Sequence, residues 1–156
     1  MTNPGIELLQ VLQGKSLVTA ESCTGGGIGA AITAIPGSSK VYKGGIISYA
    51  NWVKEHVLGV DPQVLALQGP VSQPVAAAMA EGARRVLEAD AAISVTGLAG
   101  PDGDEYGNPV GTVFIGCSTW KGTAVKEYHF SGSRDDVRQQ AVTAALEQLL
   151  EIVRQR

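Results

Sequence analysis

Ser22, Cys23 and Thr24 stand side by side in TAESCTGGGIG (residues 19–29), directly after Glu21 and directly before three glycines. Two of these side chains can attack a carbonyl. A serine hydroxyl does so only when a neighbouring base removes its proton. A thiol is intrinsically stronger but acts as its thiolate, which needs a lowered pKa, and nothing nearby in sequence promises to lower that of Cys23. The glycines open two further readings: a tight bend between a strand and a helix, and a cradle whose backbone N–H groups hold an anion or an oxyanion. The stretch alone leaves all of these open.

A serine nucleophile needs a base. His56 lies on a short helix and His129 ends a hairpin strand, and neither is clearly on the face of the glycine turn. Lys54, in SYANWVK (48–54), is the alternative, because burial or a nearby positive charge brings a lysine pKa toward neutrality. Tyr49 precedes it by five residues across a strand-to-helix junction, so both can face one cleft. The plainer readings are a solvated helix lysine and a strand-end tyrosine with a wetted hydroxyl.

Other motifs fail on spacing. Gly14-Lys15-Ser16 ends like a phosphate-binding loop, but it lacks the earlier glycine and precedes a strand rather than a helix. The glycine cluster is not GxGxxG with a properly spaced acid. DGDEYG (102–107) begins like a calcium loop, yet Tyr106 takes the fifth place and Val113 the twelfth, where a bidentate glutamate is required. Cys23 and Cys117 have no zinc or redox spacing. No metal and no organic cofactor is expected.

The elements that must position these residues follow from periodicity. Residues 5–13 read as a short amphipathic helix, 16–20 as a buried strand, 28–37 as a helix ended by Pro36 and Gly37, and 41–50 as a second strand. Residues 51–60 read as a short helix and 72–89 as a longer one with Ser72 at its N-cap. Residues 90–97 form a third strand that runs into a breaker-rich loop, 98–109. Residues 110–120 and 123–130 flank Lys121-Gly122 as a hairpin, and 133–156 is a long helix capped by Ser133. Alternating strands and helices followed by a hairpin predict a three-layer α/β/α sandwich with a mixed, roughly five-stranded sheet. Ligands collect at the carboxyl ends of parallel strands in such sheets, which is where ESCTGG, YANWVK and TGLAGPDG fall.

Length and charge narrow the class. A chain of 156 residues suits one domain, and 44% hydrophobic with 17% charged residues describes a globular rather than a disordered protein. A net charge of -3 and 5% aromatics argue against nucleic acid as the main partner. No run approaches a membrane span, and no signal pattern opens the chain, so a reduced, cytoplasmic setting is expected.

In order and spacing, TAESCTGG, GGIISYANWVKEHVLGV, GPVSQPVAAAMAEGARR, VTGLAGPDG and PVGTVFIGC resemble the CinA C-terminal domain family, from about residue 6 to the last helix. Its stand-alone members are nicotinamide-nucleotide amidohydrolases, which convert nicotinamide mononucleotide to nicotinate mononucleotide and ammonia in pyridine-nucleotide recycling. The resemblance implies Ser22 as nucleophile, Tyr49 and Lys54 as the proton-handling pair, and Thr96 and Arg134 as substrate-lining residues. Thr24, Gly25 and Gly26 are the expected substrate-binding turn, with backbone N–H groups for an oxyanion. Lys54 is expected to act on Ser22 through Tyr49. A homodimer is also implied. Some relatives carry a further N-terminal domain with a pyrophosphatase activity; 156 residues leave no room for it, and that activity is not expected. The loop after Pro101 is more acidic than an anionic nucleotide would favour. A non-catalytic nucleotide- or phosphate-binding module and an interaction domain are the alternatives.

Overall fold

The computed structural model describes residues 3–155. Five strands form one mixed sheet: β1 (Leu17–Glu21), β2 (Tyr42–Ile47), β3 (Ala91–Gly97), β4 (Thr112–Thr119) and β5 (Gly122–His129). Their order is β2-β1-β3-β4-β5. β2, β1 and β3 run parallel, whereas β4 and β5 join antiparallel as the hairpin. Every residue of β1 and β4 is buried, as expected of interior strands covered on both faces. The edge strands β2 and β5 are only partly covered.

Helices cover both faces. On one side α1 (Pro4–Val11), α2 (Gly27–Thr33) and α6 (Arg134–Arg154) enclose a core of Leu8, Leu12, Leu17, Ile28, Ile32, Ile93, Ile115 and Leu149. On the other, α5 (Gln73–Val86) presents Val75, Met79, Ala80 and Ala83, at helical spacing, to Val18, Ala20 and Ala92. Leu58 and Val60, just past α3 (Asn51–His56), and Leu65 of α4 (Pro62–Gln68) complete that second core. Gly82 lets α5 approach this segment, because a Cβ there would meet the Leu58 carbonyl oxygen at 2.0 Å.

The three-layer α/β/α arrangement with a five-stranded mixed sheet is the expected one. Three details differ. Helix α4 takes residues for which no element is expected from the sequence; Asp61 caps it by accepting from the Gln63 N–H at 2.8 Å, and Pro62 opens it. The helix expected over 28–37 stops at Thr33, and Ser38–Lys40 form a short 3-10 turn before β2. The hydroxyl of Ser72 makes no cap bond; it donates to the Gly69 carbonyl at 2.8 Å instead. Ser133 does cap α6, in a reciprocal box with Asp136. The last residue of the helix expected over 133–156 lies outside the described residues. No described helix is long and apolar enough to cross a membrane.

Candidate active site

The parallel ladder fixes the centre of the site. Glu21 pairs with Ile47 of β2 and with Val95 of β3. One step further, the Ser22 N–H donates to the Val95 carbonyl at 3.0 Å, and the Ser48 N–H donates to the Glu21 carbonyl at 2.8 Å. Ser22 therefore leaves β1 with Ser48 on one side and Thr96 on the other.

Helix α3 brings Lys54 back over this ladder. Its side chain is 1% exposed, and its Nζ lies 3.1 Å from Ser22 Oγ. Nζ also donates to the carbonyls of Ser48 at 2.7 Å and Tyr49 at 3.2 Å. Among the described residues no carboxylate forms an ion pair with it. Burial disfavours the ammonium form and brings its pKa from 10.5 down to about 8. A neutral amine has two hydrogens and one lone pair. With both hydrogens on carbonyls that can only accept, the lone pair is left for the Ser22 hydroxyl proton.

Cys23 is the rival nucleophile, and its surroundings act against it. Burial raises its thiol pKa to about 11, a shift that the positive charges of Arg138 and Lys54 reduce but do not cancel. The thiol is protonated at neutral pH and so is a poor nucleophile. Neither histidine lines the cavity beside Ser22. The ring of His56 packs against that of Trp52 with centroids 4.5 Å apart, and His129 contacts Glu127 at 2.7 Å on the edge strand.

Ser22, Tyr49, Lys54, Thr96 and Arg134 line one cavity of about 230 Å³, together with Asn51, Leu98 and Asp102. The Thr96 side chain, 1% exposed, donates its hydroxyl proton to the Pro70 carbonyl at 2.7 Å. At the mouth, the Arg134 guanidinium donates to the Gly100 carbonyl and, at 3.3 Å, to the Tyr49 hydroxyl. Lys54 is expected to reach Ser22 through Tyr49, but the two side chains meet directly, without the phenol between them. The phenol stands at the rim, 63% of the residue exposed, and it is the backbone carbonyl of Tyr49 that meets Lys54.

Thr24, Gly25 and Gly26 do not line this cavity, contrary to expectation. The Thr24 hydroxyl turns inward and donates to Glu21 Oε1 at 2.7 Å. The Gly25 N–H closes the turn on the Ser22 carbonyl at 3.0 Å. Gly25 and Gly26 adopt φ of 59° and 109°, which favours glycine at both positions. Among the described residues, the N–H groups of Cys23, Thr24 and Gly26 reach no backbone acceptor.

Two residues with no role in the sequence reading hold this turn. Glu21, 2% exposed, accepts from Thr24 Oγ1 and, at 2.8 and 2.9 Å, from the N–H groups of Ile28 and Gly29 in the first turn of α2. A carboxylate there satisfies otherwise orphan helix donors. From the other side, Arg138 donates from Nε to the Cys23 carbonyl at 3.0 Å and from Nη2 to the Thr24 carbonyl at 3.2 Å. Its position four residues after Arg134, on the same face of one helix, was the available signal. The acidic loop is largely turned on itself. Asp104 accepts from the Tyr106 and Asn108 N–H groups and the Asn108 amide, and these bonds outweigh its partial burial and keep its pKa below the usual value. Of the loop's acids, Asp102 alone lines the cavity.

Comparison with known proteins places this arrangement. The model of the CinA C-terminal domain matches residues 6–153. A CinA-like protein of Geobacter sulfurreducens is 47% identical over 137 residues, covering 88% of this chain and 33% of that protein. A CinA-like protein of Parasynechococcus marenigrum is 47% identical over 146 residues, covering 91% of this chain and 35% of its own length. The chain thus spans about a third of the curated relatives it matches. Among solved structures, a competence-damaged protein (CinA) superfamily protein from Enterobacter cloacae superposes with a TM-score of 0.93 at 34% identity, covering 96% of this chain and 90% of that one. The competence/damage inducible protein CihA from Agrobacterium tumefaciens superposes with a TM-score of 0.90 at 34% identity, covering 99% and 98%. With the family model matching nearly all of its residues, the chain belongs to the CinA C-terminal domain family.

Proposed function

We propose that this protein hydrolyses a carboxamide by acyl transfer through Ser22, and that its substrate is nicotinamide mononucleotide. The observation that carries the chemistry is the 3.1 Å contact between Lys54 Nζ and Ser22 Oγ, with the remaining amine hydrogens on two carbonyls. The choice of substrate rests on the resemblance to nicotinamide-nucleotide amidohydrolases.

In the first half-reaction neutral Lys54 takes the Ser22 hydroxyl proton as Oγ bonds to the amide carbon. The carbonyl oxygen becomes an oxyanion, for which the N–H of Cys23, a residue that lines the cavity and whose N–H reaches no backbone acceptor, is the donor the turn offers. The Lys54 ammonium then gives its proton to the amide nitrogen. The C–N bond breaks, ammonia leaves, and an acyl ester remains on Ser22. In the second half-reaction Lys54 takes a proton from water as the water attacks the ester. The C–Oγ bond breaks, the proton returns to Ser22, and the carboxylic acid is released.

The cavity, at about 230 Å³, is below the ~300 Å³ at which ligand pockets usually begin. In this reading the ring and its carboxamide enter the cavity and the ribose phosphate stays at the mouth. Arg134 stands there as the phosphate partner, with Tyr49 beside it. By the same resemblance the molecule works as a homodimer, which light scattering checks. The test of the function is ammonia release from nicotinamide mononucleotide, its riboside and free nicotinamide. The reading requires the mononucleotide to be the best substrate; no ammonia from any of the three contradicts it.

A further inference from the structure

We infer that Thr96 is a specificity residue whose hydroxyl accepts a hydrogen bond from the carboxamide nitrogen and thereby admits the amide while disfavouring the product acid. The inference rests on the amidohydrolase reading and extends it to how substrate is told from product.

The direction of one hydrogen bond carries the argument. Thr96 Oγ1 lies 2.7 Å from the carbonyl oxygen of Pro70. A carbonyl cannot donate, so the single hydroxyl proton of Thr96 points at Pro70. The hydroxyl then has only lone pairs to offer its other neighbours. The residue is 1% exposed and lines the same cavity as Ser22, so its hydroxyl is shielded from bulk solvent at the wall of that cavity. The pairing of Glu21 with Val95 puts Thr96 beside Ser22 on the flank opposite Ser48 and its Lys54 contact.

A primary amide and its acid differ at one atom. The amide nitrogen brings two N–H donors; the carboxylate oxygen in its place brings only lone pairs. Against an acceptor that cannot turn its proton round without abandoning Pro70, the amide gains a hydrogen bond and the carboxylate meets like-signed partial charge. A buried polar group left unpaired in this way weakens binding strongly, which is how sites built on a fixed acceptor discriminate. A bond from the amide nitrogen to Thr96 also fixes that nitrogen so that its lone pair can receive the Lys54 proton as ammonia leaves.

The test is calorimetric titration of Ser22→Ala, which binds without turnover, with nicotinamide mononucleotide and nicotinate mononucleotide. It is run at pH 9, where Lys54 is largely neutral and does not itself attract the acid. The amide is expected to bind at least ~10-fold more tightly than the acid, the equivalent of one net hydrogen bond. Adding Thr96→Val is expected to weaken the amide by ~10-fold and to leave the acid unchanged or tighter, whereas Thr96→Ser keeps the preference. A merely structural role for Thr96 would weaken both ligands by the same factor, and that result overturns the inference. Should the valine variant fail to fold, equal affinity of amide and acid for Ser22→Ala overturns it as well. Binding of neither ligand overturns the amidohydrolase reading itself and this inference with it.

Discussion

Lys54 Nζ and Ser22 Oγ lie 3.1 Å apart across the parallel ladder, and the other two contacts of the amine are carbonyls that accept and cannot donate. A buried amine held in this way is a base whose strength is set by desolvation. Most of the consequences that can be measured follow from that pair.

Activity should depend on pH through Lys54. With its pKa lowered to about 8, about a tenth of the lysine is neutral at pH 7. kcat/KM for ammonia release is expected to rise ~10-fold per pH unit below 8 and to level off above it. A profile flat from pH 6 to 9 would remove Lys54 as the base.

The same group should show in stability. In the unfolded chain the lysine keeps its proton up to about 10.5; in the folded protein it loses it near 8. The cost of burying the ammonium is therefore fully present below pH 8. Between 8 and 10.5 the unfolded state holds the extra proton, so unfolding free energy gains from this group as pH rises. The full effect is on the order of 3 kcal/mol. Other groups titrate in the same window, Cys23 in the opposite sense, so the quantity to measure is the difference between wild type and Lys54→Met. By urea unfolding, that difference should shift toward wild type as pH goes from 7 to 10.5. Turnover of Lys54→Met should fall by ~10²–10⁴.

Removing Glu21 should loosen the turn that aims Ser22. Glu21→Ala leaves the Thr24 hydroxyl and two α2 N–H groups without their acceptor. Each such loss costs about 1–3 kcal/mol. A drop of several kcal/mol in unfolding free energy is expected, with a larger fall in kcat than in KM rise. Urea midpoints and steady-state kinetics check it.

Cys23 should be dispensable. Its thiol is buried and held at a pKa of about 11, so alkylation at pH 7 is expected to be slow. Cys23→Ala should retain turnover within ~10-fold of wild type, the remaining loss coming from altered packing beside Ser22. Loss of all turnover would return Cys23 to consideration as the nucleophile.

Much of this geometry is legible in the sequence because it is local or periodic. ESCTGG, YANWVK and TGLAGPDG each follow a strand, and the parallel ladder gathers them into one cavity. Helix α4 escaped because seven residues give too little periodicity, although Asp61-Pro62 is a helix-start signal. Glu21 escaped for another reason. Cap motifs are read within a few residues, and this carboxylate reaches α2 across a whole turn of chain, seven and eight residues on. Arg138 and the Pro70 partner of Thr96 are tertiary contacts between distant segments, which no local pattern announces. A glycine turn after a strand is expected to face a ligand; here the Thr24 hydroxyl and the Gly25 N–H serve the turn itself.

Whether Ser22 forms the acyl bond is decided by ammonia release from nicotinamide mononucleotide by Ser22→Ala beside wild type. Wild type should release ammonia steadily, and the alanine variant should fall by ~10³-fold or more while its unfolding free energy in urea stays within about 1 kcal/mol of wild type. Wild-type turnover by Ser22→Ala would contradict that role for Ser22.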